Sequence, residues 1–88
     1  MDTAYKKSFL KDLQKLPSDI RSRIQQFALQ EAPAADSLSA LGQVTKITGF
    51  PTYFRKRIGN YRVGFKLENG KITFYRVPHR REIYRYFP

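Results

Sequence analysis

The sequence contains no cysteine and a single histidine, His79, in 88 residues. Without cysteine there is no disulfide framework and no thiolate metal site. One histidine excludes every multi-histidine metal site, and neither a metal nor a cofactor is expected. The same cysteine usage suits a reducing cytoplasm, which is the expected location. Apolar runs are short, and none approaches the ~18 residues of a membrane span, so no membrane partner is expected. Lys11, Asp12 and Lys15 break up any apolar stretch of a signal peptide. Internal repeats and low-complexity segments are lacking as well. At this length a two-domain enzyme with an interdomain cleft is excluded, as is a full nucleotide-binding α/β fold. Residues 1–88 read as one domain.

Acidic residues are also scarce. Seven Asp and Glu stand against seventeen Lys and Arg, a net charge of +10. Residues 46–88 carry eleven of the basic residues against only Glu68 and Glu82. That stretch also holds every aromatic residue except Tyr5, Phe9 and Phe27. A basic, aromatic-rich half on a small chain points to a polyanion, with RNA or DNA first. The plainer reading is a solvated basic face that aids solubility.

The first half has helical period. Phe9, Leu10, Leu13 and Leu16 share one helix face, with Ser8 as the expected N-cap. Pro17 stops that helix. Ser18 is placed to cap the next, with Asp19 in its first turn. Ile20, Ile24, Phe27 and Ala28 form its apolar stripe, and Pro33 falls just past its end. The short link predicts an antiparallel helical hairpin. Residues 32–43 read as a loop with one short helical turn.

The second half changes to strand period. A strand is expected over 44–48, another over 54–58, then Gly59-Asn60 as a tight turn. Tyr61, Val63, Phe65 and Leu67 alternate with Arg62, Gly64 and Lys66. Asn69-Gly70 is a strong hairpin signal, and 72–77 closes the set before Pro78. A further first strand is expected only over 3–6. Residues 79–86 form a short helix or an extended tail. The expected fold is α+β, with an N-terminal helical hairpin on one face of a small twisted antiparallel sheet.

The other face is expected to stay open. Parity puts Arg55 and Arg57 on one side of their strand, beside Arg62 and Lys66 of the next, with Gly64 leaving a shallow hollow between those two. Guanidinium groups there can hold phosphate oxygens bidentately. The alternative is simple decoration of a wet sheet face. Clustered like charges repel, which weighs against decoration. Lys56 falls at a core-facing position. Either its ammonium snorkels to the sheet edge, or a bulge in that strand shifts Arg55 and Arg57.

These residues carry a resemblance. YFRKRIGNYRVGF followed by ITFYRVPHRREIY, with YKKSFLKDLQKLP upstream, resembles the RelE/ParE superfamily of toxins from toxin–antitoxin pairs, its RelE branch above all. The resemblance covers nearly the whole chain and rests on the combined Arg-x-Arg, Gly-x-Tyr-Arg and His-Arg-x-x-x-Tyr elements. It implies a ribosome-dependent, metal-independent endoribonuclease that cuts A-site mRNA by 2′-OH attack. It also implies a cognate antitoxin partner, and contacts with mRNA and ribosomal RNA. Carried over by motif, Arg55 and Arg57 form the sheet pair, Arg62 follows Gly-x-Tyr, Arg80 is the late arginine, and Tyr84 is the C-terminal tyrosine. Lys46, Lys66, Arg81 and Arg85 are the expected further RNA contacts.

The residue types suit that chemistry. Fixed guanidiniums stabilise charge on phosphorane oxygens, the role expected of Arg62 and Arg80. Tyr84 can stack on a base. Arginine is a poor general base, so His79 is the candidate for proton transfer; its plainer reading is a packed turn residue. Where some RelE toxins have lysines, this chain has Arg55 and Arg57, so the base cannot be copied over. Tyr86-Phe87 are expected to tuck against the sheet. Two other functions stay open: a ParE-like gyrase inhibitor, and a basic nucleic-acid-binding module without chemistry.

Overall fold

The chain opens with a strand, β1 (Asp2–Tyr5), followed at once by α1 (Lys7–Gln14) and α2 (Ser18–Gln25). The computed structural model describes every residue from Met1 to Pro88. Neither expected serine cap forms. The Lys6 N–H donates to Phe74 O at 2.9 Å, so the β1 ladder runs into the helix start and Lys6 takes the cap position. Ser8 Oγ instead donates to Tyr75 O at 2.7 Å, pinning α1 to the sheet. Pro17 occupies the second cap position, and Ser18 is already helical.

The second helix runs further than its stripe predicts. It widens into π-helical turns over Gln26–Glu31 and continues through α3 (Ala32–Ala34). Pro33 therefore lies inside the helical path, near its C-terminal end, and not just past it. A 3₁₀ turn follows at Ser39–Leu41.

Strands β2 (Thr45–Lys46), β3 (Tyr53–Ile58), β4 (Tyr61–Glu68) and β5 (Lys71–Arg76) form the expected antiparallel meander. The sheet order is β1-β5-β4-β3-β2. The one departure is β1, which joins β5 in parallel, with Thr3 opposite Ile72 and Tyr5 opposite Phe74. The meander ends running in the direction of β1, so the sheet is mixed at that edge. A four-residue helix, α4 (Ile83–Tyr86), follows the last strand. No helix is long and apolar enough to cross a membrane.

The helices cover one sheet face. Phe9, Ile24, Phe27, Val63, Phe65, Ile72 and Phe74 bury there almost completely. Phe74 lies at the centre, its ring 5.4 Å from Tyr5, 5.3 Å from Phe9, 6.0 Å from Phe27 and 5.9 Å from Phe65. Lys56 does reach this side, and its stem snorkels. Its Nζ donates to Leu41 O at 3.0 Å and lies 5.1 Å from the Phe27 ring centroid. β3 is unbroken; the register shift lies at Gly64/Phe65, between β4 and β5.

One ion pair ties the helices to the sheet. Asp12 accepts from Arg76 Nε at 2.8 Å, Arg76 Nη2 at 3.2 Å and the Val77 N–H at 2.8 Å. Its carboxylate in turn holds the Arg76 guanidinium above its ordinary pKa. Asp12→Asn should lower unfolding stability by about 2 kcal/mol, the scale of hydrogen bonds to a charged group. Urea unfolding checks this, and an unchanged midpoint would make the pair merely a surface contact.

Candidate functional site

The tight turn at Gly59-Asn60 brings the basic residues of β3 and β4 into register. Arg57 stands directly opposite Arg62, and Arg55 opposite Gly64. Directly opposed residues share a sheet face. The positive φ of 59° at Gly59 keeps the link to two residues. After β5 the chain returns across this hairpin. The Arg62 N–H donates to Pro78 O at 3.0 Å, and the Arg80 N–H donates to Asn60 O at 2.8 Å. That return carries Arg80 to the other arginines.

Arg57, Arg55 and Arg80 therefore lie around Arg62. Arg62, half-buried, is held below its ordinary pKa, first by burial and then by the charges of Arg57, Arg55 and Arg80. The only ion pairs in the protein are Lys66–Glu68 and Arg76–Asp12, so no carboxylate neutralises this group. Arg62 Nη1 is steered by the turn, donating to Tyr61 O at 3.0 Å and Gly59 O at 3.4 Å. A guanidinium held in place this way by backbone carbonyls keeps further N–H donors for phosphate oxygens.

Tyr84 joins the group from α4. It is 68% exposed, and its hydroxyl accepts a hydrogen bond from Arg55 Nη1. The Arg55 guanidinium lies 5.0 Å from the ring centroid. His79 borders the cluster. It bridges to Tyr61, packs edge-on against that ring at 5.5 Å, and accepts the Arg81 N–H on Nδ1 at 3.4 Å. The remaining expected contacts are dispersed. Lys46 is opposite Phe54 and so lies on the helix-side face, away from the arginines. Lys66 is on the arginine face but opposite Tyr53, paired with Glu68 at 3.2 Å. Arg81 is exposed beyond Arg80, and Arg85 lies over the Tyr86 ring at 5.5 Å.

The open hollow expected over Gly64 does not exist. Phe87, 1% exposed, fills it and clusters with Ile47 and Ile83 against Tyr53 and Tyr75. Gly64 alone among bulky strand neighbours was the signal for such a close approach. This small cluster also anchors α4, and hence the backbone that carries Tyr84. Tyr86 stays exposed, with Arg76 over its ring at 4.8 Å. A Cβ on Gly64 would come within 2.6 Å of the Phe87 ring. Gly64→Ala should therefore expel that ring at a cost of about 1–3 kcal/mol, the usual range for overpacking. Limited proteolysis should then clip the C-terminal segment faster than in wild type. An unchanged digestion rate would mean the ring finds another seat.

The chain is similar to known toxins along its whole length. The family described as "ParE toxin of type II toxin-antitoxin system, parDE" matches residues 4–84. Toxin RelE3 of Methanocaldococcus jannaschii is 42% identical over 89 residues, covering all of both chains. The toxin in the RelB–RelE antitoxin–toxin complex from Methanococcus jannaschii superposes with a TM-score of 0.81 at 40% identity, over 97% of this chain and 99% of that one. The isolated RelE toxin of E. coli shares the fold, with a TM-score of 0.67 at 15% identity over 89% and 82% of the two chains.

Proposed function

Because the chain belongs to the RelE/ParE family of toxins from type II toxin–antitoxin systems, we propose that it is an mRNA endoribonuclease acting on the ribosome. The observation that carries this reading is the cluster of Arg55, Arg57, Arg62 and Arg80, which no carboxylate neutralises. Four like charges held together raise the energy of the free protein; a phosphate diester relieves it.

In the proposed reaction the 2′-oxygen of A-site mRNA attacks the adjacent phosphorus. The new 2′-O–P bond forms as the P–O5′ bond breaks. The 2′-hydroxyl loses its proton to solvent water, and the 5′-oxygen takes one from His79. The products are a cyclic phosphate and a 5′-hydroxyl. Arg62 and Arg80 hold the phosphorane oxygens, whose charge peaks in the transition state. Arg57 and Arg55 extend the field along the strand. Arg55 also presents Tyr84, whose exposed ring stacks on the scissile nucleotide. His79, beside Arg80, is the group for proton delivery to the leaving oxygen.

Relatives of this chain are held in complexes with RelB antitoxins. A cognate antitoxin is accordingly the proposed protein partner, and the net charge of +10 favours an acidic one.

Primer-extension mapping in a purified translation system tests the reading. Cuts within A-site codons only when ribosomes are present are expected. Cuts on free RNA alone would remove the ribosome from the proposal. No cuts, with DNA breaks made by gyrase, would favour a gyrase inhibitor, the alternative that the ParE family match keeps in view.

A further inference from the structure

The arginine cluster occupies only part of its sheet face. Past the Phe87 plug, the same face opens into a hollow of about 350 Å³ bordered by β1, β5 and β4. Lys6, Lys66 and Lys71 surround it, together with Glu68, Thr73 and Tyr75. Register accounts for the grouping, since Thr73 stands between Ala4 on one side and Lys66 on the other.

The ammonium groups are not equivalent. Lys66 is held by Glu68 at 3.2 Å, whereas Lys6 and Lys71 are in no ion pair. Lys6 Nζ instead rests 5.4 Å from the Tyr75 ring centroid. The Tyr75 ring lies 5.8 Å from Tyr53 and 5.7 Å from Phe87. A row of half-buried aromatic rings thus leads from the plug into the hollow, with the Lys6 ammonium over Tyr75 and Lys71 on the rim.

We infer that this hollow is a second nucleotide subsite, in which Lys6 and Lys71 take phosphate oxygens and Tyr75 takes a base of the single-stranded RNA held by the arginines. The inference rests on the RNA-cleaving reading above and adds to it a grip on a nucleotide flanking the cut. Position supports it. Lys71 stands opposite Glu68, and from Arg62 to Glu68 along β4 is about 20 Å at ~3.3 Å per residue, so one short RNA segment spans both sites. Chemistry supports it too. An acidic peptide would use the lysines but not the rings, whereas single-stranded RNA uses both.

Two fully 2′-O-methylated RNAs, of three and eight nucleotides, serve as uncleavable probes in fluorescence anisotropy across a salt series. The double variant Lys6→Gln/Lys71→Gln changes only exposed side chains, and a thermal melt confirms its fold. It is expected to bind the octamer about tenfold more weakly and the trimer within about twofold of wild type. The slope of log affinity against log salt for the octamer should fall by about 1.4, at ~0.7 per phosphate released from a single strand. Unchanged octamer affinity and slope would overturn the subsite. Equal weakening of both RNAs would overturn it too, as the lysines would then act only through the general field. A loss confined to binding of an oligoglutamate probe would reassign the hollow to a protein partner. Ribosome-dependent cutting by wild type, measured in parallel, separates the two readings. Cutting with unchanged octamer binding removes the subsite alone; no cutting by wild type removes the nuclease reading and the subsite with it.

Discussion

Arg62→Ala should slow mRNA cleavage by about 10²–10³-fold, the cost of removing one preorganised donor from developing oxyanion charge. Arg62 lies at the centre of the cluster: Arg57 is opposite it, and Arg55 and Arg80 are close enough to depress its pKa. Its guanidinium is held by the carbonyl oxygens of Tyr61 and Gly59, so its position in the transition state needs little reorganisation. Those same bonds are few and solvent-reachable. Their loss should cost the fold only about 0.5–1.5 kcal/mol. The measurement is single-turnover cleavage on ribosomes programmed with a defined A-site codon, alongside far-UV circular dichroism. Arg62→Lys should recover part of the rate, because charge survives but the bidentate fork does not. An Arg62→Ala protein within threefold of wild-type rate would put the reacting phosphate elsewhere.

The largest effect on stability should come from Phe74→Ala. Phe74 is fully buried, and its ring meets those of Tyr5, Phe9, Phe27 and Phe65. Those partners come from β1, α1, the π-helical turn and β4, so one cavity loosens both layers at once. Phe→Ala changes in well-packed cores cost about 3–5 kcal/mol. A domain with roughly 5–15 kcal/mol in all has little left after that. Urea unfolding should show the midpoint collapsing toward zero denaturant. A loss below 1 kcal/mol would mean the sheet and helices can close over the gap. Tyr84→Ala makes the contrast: a largely exposed ring should cost activity and almost no stability.

The legible parts of this molecule are those set by near neighbours. Strand alternation and the turn dipeptides Gly59-Asn60 and Asn69-Gly70 foretell the meander, and parity together with the two-residue turn foretells Arg57 beside Arg62. The serine caps failed because a strand ladder and a proline outcompeted them. The pairing of β1 with β5 was not legible, since it joins residues at opposite ends of the chain with no local signal. The same holds for Phe87 on Gly64, where the missing side chain was visible but its occupant was not. Arg80 and Tyr84 entered through motif resemblance. What brings Arg80 beside Arg62 is a pair of backbone hydrogen bonds across the hairpin, which periodicity does not encode.

The place of β1 in the sheet also governs when this protein comes into being. Translation delivers Asp2–Tyr5 first, yet their partners begin at Lys71. At about 5–20 residues per second the first strand waits roughly 3–14 seconds for its neighbour to begin to be made. Through that interval Phe9 and Phe27 have no Phe74 to cover, and Arg80 and Tyr84 have not yet been made. A nascent chain halted before β5 holds neither a closed sheet nor a complete guanidinium cluster. The guanidinium cluster does not build up evenly with length; it is completed only after β5 and the turn that carries Arg80 have been added.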